Sequence, residues 1–181
     1  KKSLSTIKIL YLGWVEEMKG IYDLLDACSQ IRPEHKFQLC IVGGGSCVES
    51  AKNETKNKNM DKFIKFHGWL NDREVEEILE NSDVLVQPSW VEGFPNSIIE
   101  AMAAGLAVIT TSVGNIPDIL NHDKEALLIP KKNIKALKDS ISKIIEDQEL
   151  RARISKAGHE FALTNFSTEK AAVKLEKIIN Q

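Results

Sequence analysis

Two glutamates enclose a segment whose residue types suit the binding of hydroxyl groups and of an anion. The segment begins at Glu92, ends at Glu100 and reads Glu-Gly-Phe-Pro-Asn-Ser-Ile-Ile-Glu. A carboxylate only accepts hydrogen bonds, so two of them in one neighbourhood suit the vicinal hydroxyls of sugars. This spacing makes both glutamates candidates for binding two sets of hydroxyl groups on one ligand.

A helix is predicted to begin inside this segment, at Asn96 or Ser97, and to end at Gly105, a residue type favoured just after helix C-termini. The first amides of a helix lack partners and carry the positive end of the helix dipole, so they attract phosphate. The candidate amides are those of Gly93, Phe94, Asn96 and Ser97. A diphosphate between two hydroxyl-bearing rings fits this arrangement, and a nucleotide sugar has that chemistry.

A structural interpretation of the same glutamates is also open. Ser97 and Glu100 have the spacing of a capping box, and an acid in a first helical turn is stabilised by the dipole by roughly 0.3–1 kcal/mol. An isolated Glu92 is typical of a solvated surface. From these residues alone, Glu100 is as consistent with capping as with ligand binding.

The elements that would position this segment alternate between short apolar strands and helices. Strands are predicted at residues 7–12, 37–42, 63–66, 83–86, 107–110 and 126–129. Apolar residues at helical spacing fill the gaps between them, and Asn71 with Glu74 has the spacing of a capping box. Residues 46–58 are polar and only weakly helical, whereas 133–181 are predicted to be helical, with a last helix capped by Ser167 or Thr168.

This alternation predicts an α/β fold. Right-handed crossovers place helices on both sides of a parallel sheet. We therefore expect a doubly wound, Rossmann-like six-stranded parallel sheet with helices on both faces, plus a helical C-terminal segment. No repeat or linker is apparent, so residues 1–181 are expected to form a single domain. Ligands bind such folds outside the carboxyl ends of the strands.

Composition excludes several classes of function. The 181 residues include 24 Lys and Arg against 26 Asp and Glu, a net charge of −2, which gives no bulk reason to bind nucleic acid. No apolar run approaches the ~20 residues that span a bilayer. A membrane surface stays open as a partner because of one basic stretch, although interspersed acids favour a solvated face. That stretch contains Lys131, Lys132, Lys135, Lys138 and Lys143.

The start of the chain and its cysteines indicate its context. Residues 1–5 contain neither an initiator Met nor an apolar signal peptide, and we interpret them as the start of a piece of a longer chain. The cysteines Cys28, Cys40 and Cys47 are odd in number and lack ligand spacing. A reducing, cytoplasmic compartment is therefore expected.

Neither a metal nor a cofactor is expected. The four histidines lack the spacing of metal ligands, and no Asp-x-Asp pair occurs. Positive protein groups would then have to stabilise a leaving diphosphate. Gly43-x-Gly45-x-x-Val48 lacks the last glycine of the dinucleotide fingerprint, so a NAD site is a weaker interpretation of these glycines than a turn near the ligand.

The segment 92–100 resembles the E-x7-E signature of retaining glycosyltransferases with two Rossmann-like domains, the GT-B architecture, and especially of family 4, the glycosyl transferases group 1. The likeness continues through Glu-Ala-Met-Ala-Ala-Gly-Leu-Ala-Val-Ile-Thr-Thr-Ser-Val-Gly-Asn-Ile-Pro-Asp at 100–118. It extends to Tyr11-Leu12-Gly13, Lys19-Gly20, Ile41-Val42-Gly43-Gly44-Gly45 and Phe66-His67-Gly68. The resemblance implies the C-terminal, donor-nucleotide half of such an enzyme.

The resemblance also implies roles for individual residues. Glu92 would contact hydroxyls of the transferred sugar, Glu100 the ribose, and Lys19 the diphosphate. The amides of Gly93, Phe94, Asn96 and Ser97 would hold sugar and diphosphate. The base would lie at the turn formed by His67, Gly68, Trp69 and Leu70. Gly13 would leave room for close approach of the ligand. Trp69 is open to two interpretations, stacking on the base or packing within the protein.

One departure from the family pattern concerns charge. Members commonly have Arg directly after the glycine, whereas this chain has Trp14. A charge-assisted hydrogen bond contributes roughly 1.5–3 kcal/mol, so the missing guanidinium lowers the expected affinity for a diphosphate. Arg73 is one candidate substitute. Trp14 itself is a candidate for packing against an N-terminal half.

The leading hypothesis is transfer of a sugar from a nucleoside-diphosphate sugar to an acceptor hydroxyl with retention of configuration. Lys19 and the helix amides would stabilise the leaving group, while Glu92 and Glu100 orient the donor. The acceptor, such as a sugar or lipid-linked glycan in polysaccharide synthesis, would bind through an N-terminal half, so this piece alone is expected to be inactive. A nucleotide-sugar epimerase of similar plan and a non-catalytic nucleotide-binding or interaction module are the alternatives.

Overall fold

A computed structural model of the chain describes residues 6–31 and 36–166. The strands are β1 (Ile7–Leu12), β2 (Phe37–Val42), β3 (Ile64–Gly68), β4 (Val84–Gln87), β5 (Ala107–Thr111) and β6 (Leu127–Ile129). The helices are α1 (Ile21–Ser29), α2 (Val48–Asn57), α3 (Asp72–Glu80), α4 (Asn96–Ala103), α5 (Ile116–Ile119), α6 (Ile134–Glu146) and α7 (Gln148–Phe166). One turn of 3₁₀ helix, Glu17–Lys19, precedes α1.

All strand pairs are parallel, and the order across the sheet is β3-β2-β1-β4-β5-β6. The chain therefore builds the sheet outward from β1 in one direction and then from β4 in the other. This reversal opens a crevice at the carboxyl ends of β1 and β4, where open α/β sheets bind ligands. The predicted doubly wound, six-stranded parallel fold is confirmed.

Each central strand contributes alternate side chains to two apolar cores. Ile9 and Tyr11 of β1 face the core formed with α1, α2 and α6, whereas Leu10 faces the core formed with α4. The same alternation holds in β4, where Val84 and Val86 join the first core and Leu85 the second. Burial on both faces explains why these strands are almost wholly apolar.

Several boundaries differ from the prediction by one or two residues. The third strand covers Ile64–Gly68 rather than 63–66, and the fourth Val84–Gln87 rather than 83–86. The polar stretch at 46–58 forms a regular helix, α2, because Ala51 and Thr55 anchor one face of it in the interior. The 3₁₀ turn and α5 were not predicted, since short elements carry little periodicity. The helix expected after Ser167 lies outside the described residues.

Local capping signals determine two helix ends as the sequence predicts. Asn71 Oδ1 accepts a hydrogen bond from the Glu74 amide at 3.1 Å, and Glu74 Oε2 accepts one from the Asn71 amide at 2.9 Å, which completes a capping box. At the C-terminus of α4, Gly105 adopts a left-handed conformation with φ +80°, which favours glycine. These caps fix the end of the loop that follows β3 and the start of the loop that precedes β5.

Asn71→Ala is expected to destabilise the protein by about 1 kcal/mol, because the Glu74 amide loses its only side-chain acceptor. Urea unfolding monitored by circular dichroism measures the change. Asn71→Ser keeps an accepting oxygen and is expected to retain most of the stability. Equal stability of Asn71→Ala and the parent chain would contradict the capping role.

Candidate functional site

Lys19 and Glu92 form an ion pair at the carboxyl edge of the sheet. Lys19 Nζ lies 2.8 Å from Glu92 Oε1, although the two residues are 73 positions apart. The lysine belongs to the 3₁₀ turn after β1, and the glutamate to the loop after β4. The Glu92 side chain is only 8% exposed, against 30% for Lys19, so the ammonium is the more accessible partner.

Two glycines allow the loops of this site to pack directly against one another. A Cβ at Gly20 would overlap the carbonyl of Pro88, and a Cβ at Gly114 would overlap the carbonyl of Glu92. Both glycines have left-handed backbones, with φ +73° and +56°. The Lys19 turn therefore lies against the start of the loop that carries Glu92, and the loop after β5 lies against Glu92 itself.

Gln87 connects the ion pair to α4, a role that no sequence pattern indicated. It is 6% exposed, and its Nε2 donates to Glu92 Oε1 at 3.3 Å. Its Oε1 accepts a hydrogen bond from Ser97 Oγ at 2.7 Å. A polar residue at the end of an otherwise apolar strand was the only sign available. Gln87 thus orients the carboxylate and the first turn of α4 together.

The N-terminus of α4 offers amides without acceptors. Pro95 is its N-cap residue and makes no side-chain capping bond. None of four amides near this end donates to an acceptor within the described parts of the chain. These are the amides of Gly93, Phe94, Asn96 and Ser97. Free N–H groups backed by a helix dipole are suited to a phosphate group.

The structure corrects the alternative interpretation of Ser97 and Glu100 as a capping box. The N-cap residue is Pro95, two positions before Ser97, so Glu100 lies beyond the first turn of α4. Ser97 Oγ donates to Gln87 instead of capping the helix. The Glu100 side chain is exposed and has no partner among residues 6–31 and 36–166. Its carboxylate is therefore accessible to a ligand on α4.

Two tryptophans stand at the same edge of the sheet. Trp14 is 56% exposed and Trp69 62%, and their rings meet edge to face with centroids 4.8 Å apart. A Cβ at Gly44 would overlap the Trp69 indole, so the glycine provides a flat support for that ring. Nothing lies within 4 Å of a Cβ at Gly13, which leaves open space beside the first loop.

The remaining predicted residues lie at the end of the third strand and just after it. Gly68 turns the chain with φ +71° and has open space at its Cβ position. The exposed His67 and the half-buried Leu70 line a groove between the sheet and α3. Arg73 Nε pairs with Glu77 Oε1 at 3.3 Å, and its side chain is 87% exposed. The structure thus does not bring Arg73 into contact with Lys19 or Glu92.

Tyr11 supports the first loop from below. Its hydroxyl, which is buried, donates to the Trp14 carbonyl at 2.6 Å. Burial raises the pKa of Tyr11 strongly, and the negative charge of Glu92 raises it further. Beside it, Glu16 accepts hydrogen bonds from the Ser46 hydroxyl and amide, which lower the pKa of Glu16. These contacts join the loops after β1 and β2.

The space next to Glu92 is large enough for a small ligand. A cavity of about 820 Å³ is bordered by Trp90, Glu92, Gly114 and Lys131. Within the described residues, no three His, Cys, Asp or Glu side chains are grouped so that they could hold a metal ion. No helix in this part of the chain has the length and apolar character to cross a bilayer.

Comparisons with known proteins agree with this architecture. The family described as "Glycosyl transferases group 1" matches residues 1–161. An uncharacterized glycosyltransferase of Methanocaldococcus jannaschii, MJ1178, is 30% identical over 172 residues, which are 95% of this chain and 47% of the relative. The amylovoran biosynthesis glycosyltransferase AmsK of Erwinia amylovora is 23% identical over 97% of this chain and 45% of its own length.

A solved structure shares the fold. The Anabaena protein Alr3699/HepE, crystallised with UDP and glucose, superposes with a TM-score of 0.88 at 20% identity. The match covers 97% of this chain and 48% of the Anabaena chain. The chain thus spans about half the length of these relatives.

The buried Tyr11 predicts a pH dependence of stability. Its pKa in the folded protein lies above the ordinary value of 10.0, so the folded state keeps a proton that the unfolded state loses. Tyr11 therefore contributes stability below that value, and the contribution declines as the pH rises above it. The advantage of the parent chain over Tyr11→Phe in urea unfolding is expected to narrow between about pH 8 and pH 11. A constant difference would contradict burial of the hydroxyl.

Proposed function

The chain belongs to the glycosyl transferases group 1, and we propose that it binds the nucleoside-diphosphate sugar from which its parent enzyme transfers a sugar. The observation that carries the proposal is the Lys19–Glu92 pair, 2.8 Å apart, beside the α4 terminus. One accessible ammonium, free amides and a carboxylate lie at one edge of the sheet. Phosphate and sugar hydroxyls are the groups that these would bind.

The diphosphate is assigned to Lys19 and α4. A diphosphate carries about two negative charges, while the lysine supplies one positive charge and a helix terminus about +0.5. Lys19 has three donors and keeps two of them after binding Glu92. The UDP in the Anabaena structure supports a uridine nucleotide as the first ligand to test.

The two glutamates are assigned to the two rings of the donor. Glu92 lies next to Lys19 and would accept hydrogen bonds from the transferred sugar, while Glu100, exposed on α4, would accept them from the ribose. The base would lie toward the turn of His67, Gly68, Trp69 and Leu70. The open space beside Gly13 would allow the ligand to approach the first loop closely.

During transfer, the bond between the anomeric carbon and the diphosphate breaks, and a bond from that carbon to the acceptor oxygen forms. The diphosphate leaves with the electron pair, and the acceptor hydroxyl loses its proton. Lys19 and the α4 amides would stabilise the charge that develops on the leaving oxygen. In this proposal the protein supplies that positive charge without a metal ion or cofactor.

The finer assignment is to the retaining enzymes of family 4, with a hexose as the transferred sugar. The acceptor would bind through a further domain of the whole enzyme, and this piece alone would bind nucleotide without transferring sugar. The name of the Erwinia relative supports polysaccharide synthesis as the setting. The exposed Lys131 and Lys132 support a peripheral membrane contact of a cytoplasmic enzyme.

Calorimetric titration with UDP and GDP tests this function. Lys19→Ala is expected to weaken UDP binding by one to two decades, because a charge-assisted hydrogen bond contributes roughly 1.5–3 kcal/mol. Lys135→Ala is the matched control, since it removes a lysine that is 85% exposed on α6 and pairs with Asp139. The Lys135→Ala variant is expected to bind UDP with the affinity of the parent chain. Absence of heat with both nucleotides at millimolar concentration would overturn the proposal.

A further inference from the structure

Trp90 contacts three segments that lie near the ion pair. Its backbone amide donates to the carbonyl of Met18 at 2.8 Å. Its indole Nε1 donates to Asp23 Oδ2 at 2.7 Å. The Lys132 ammonium lies 3.8 Å from the centroid of its ring. The backbone of Trp90 thereby joins the loop after β4 to the 3₁₀ turn, and its side chain joins the same loop to α1 and to the loop after β6.

These contacts lie on both sides of Lys19 along the chain. Met18 immediately precedes Lys19, and Asp23 follows it in the first turn of α1. Trp90 itself is two residues before Glu92. The two hydrogen bonds therefore hold the turn that carries the ammonium against the loop that carries the carboxylate. Gly20, packed without a Cβ against Pro88, leaves little freedom for another placement.

The contact with Asp23 has a clear electrostatic character. Hydrogen bonds to a charged acceptor are stronger than those between neutral groups. The Lys132 ammonium over the ring adds a cation–π attraction that holds the indole plane. The orientation of the indole is thus fixed from two sides, and its N–H points at α1 rather than at solvent.

We infer that Trp90 is a positioning residue, which sets the distance between Lys19 and Glu92 by binding the turn on either side of the lysine. In this role it acts through the ammonium, although its side chain also borders the cavity next to Glu92. The prediction for nucleotide binding rests on the proposed function, whereas the prediction for the ion pair does not.

The first test measures the ion pair itself. A double-mutant cycle of Lys19→Met and Glu92→Gln, followed by urea unfolding, gives the coupling between the two side chains. The cycle is repeated in a Trp90→Phe background, which removes the indole N–H and keeps a ring beneath Lys132. In this background the coupling free energy between Lys19 and Glu92 is expected to fall to less than half of its value in the parent chain. A lower stability of Trp90→Phe with an unchanged coupling would overturn the inference.

The second test measures UDP binding by calorimetry. Trp90→Phe and Asp23→Leu are each expected to lower the affinity for UDP by about tenfold, since both remove the same hydrogen bond to a charged group. Asp23→Asn keeps an accepting oxygen and is expected to stay within about threefold of the parent chain. Trp90→Phe is expected to cause no further loss in a Lys19→Met background. Additive losses there would overturn the inference.

The two tests separate the failure of this inference from the failure of the proposed function. If the parent chain does not bind UDP, the donor assignment falls, and the unfolding cycle alone decides the role of Trp90. If UDP binds and responds to Lys19→Met but the coupling is unchanged in Trp90→Phe, the donor assignment stands and the positioning role is wrong.

Discussion

The site depends on holding one carboxylate in a nearly closed position with a single cation beside it. Glu92 is 8% exposed, and a charge with so little contact with water requires a partner. Lys19 supplies the charge, and Gln87 supplies a second hydrogen bond. The lysine follows β1 and the glutamate follows β4, so the two halves of the sheet each supply one partner. The ion pair can therefore form only at the crevice where the strand order reverses.

That requirement explains the unusual closeness of the surrounding backbones. Side chains of ordinary length would keep the Lys19 turn, the loop after β4 and the loop after β5 apart, but Gly20 and Gly114 remove the Cβ atoms that would intervene. Both positions also have positive φ angles, which other residues rarely adopt. Backbone packing thus fixes this loop at Pro88 and at Glu92, and the side chains have only to span short distances.

The sequence predicted the parts of the structure that depend on local patterns. Alternating apolar runs indicated the sheet, Asn71 and Glu74 indicated a helix start, and the segment from Glu92 to Glu100 indicated a loop leading into α4. Contacts between distant segments carry no such pattern. Gln87 occupies a strand position where the periodicity predicts only burial, and Trp90 reads as an aromatic residue in a loop, although each binds residues from other elements.

At Trp14, where the family pattern has Arg, the backbone and the side chain are held by different contacts. The Tyr11 hydroxyl binds the Trp14 carbonyl, so the backbone of the first loop is held in place whatever side chain it carries. The indole then extends outward against Trp69 and contributes no positive charge. A diphosphate bound here would depend more heavily on Lys19 and on the α4 amides than it would beside a guanidinium. The hydrogen bonds that fix the lysine turn would therefore matter more for that binding in this chain than in a protein with an arginine after the glycine.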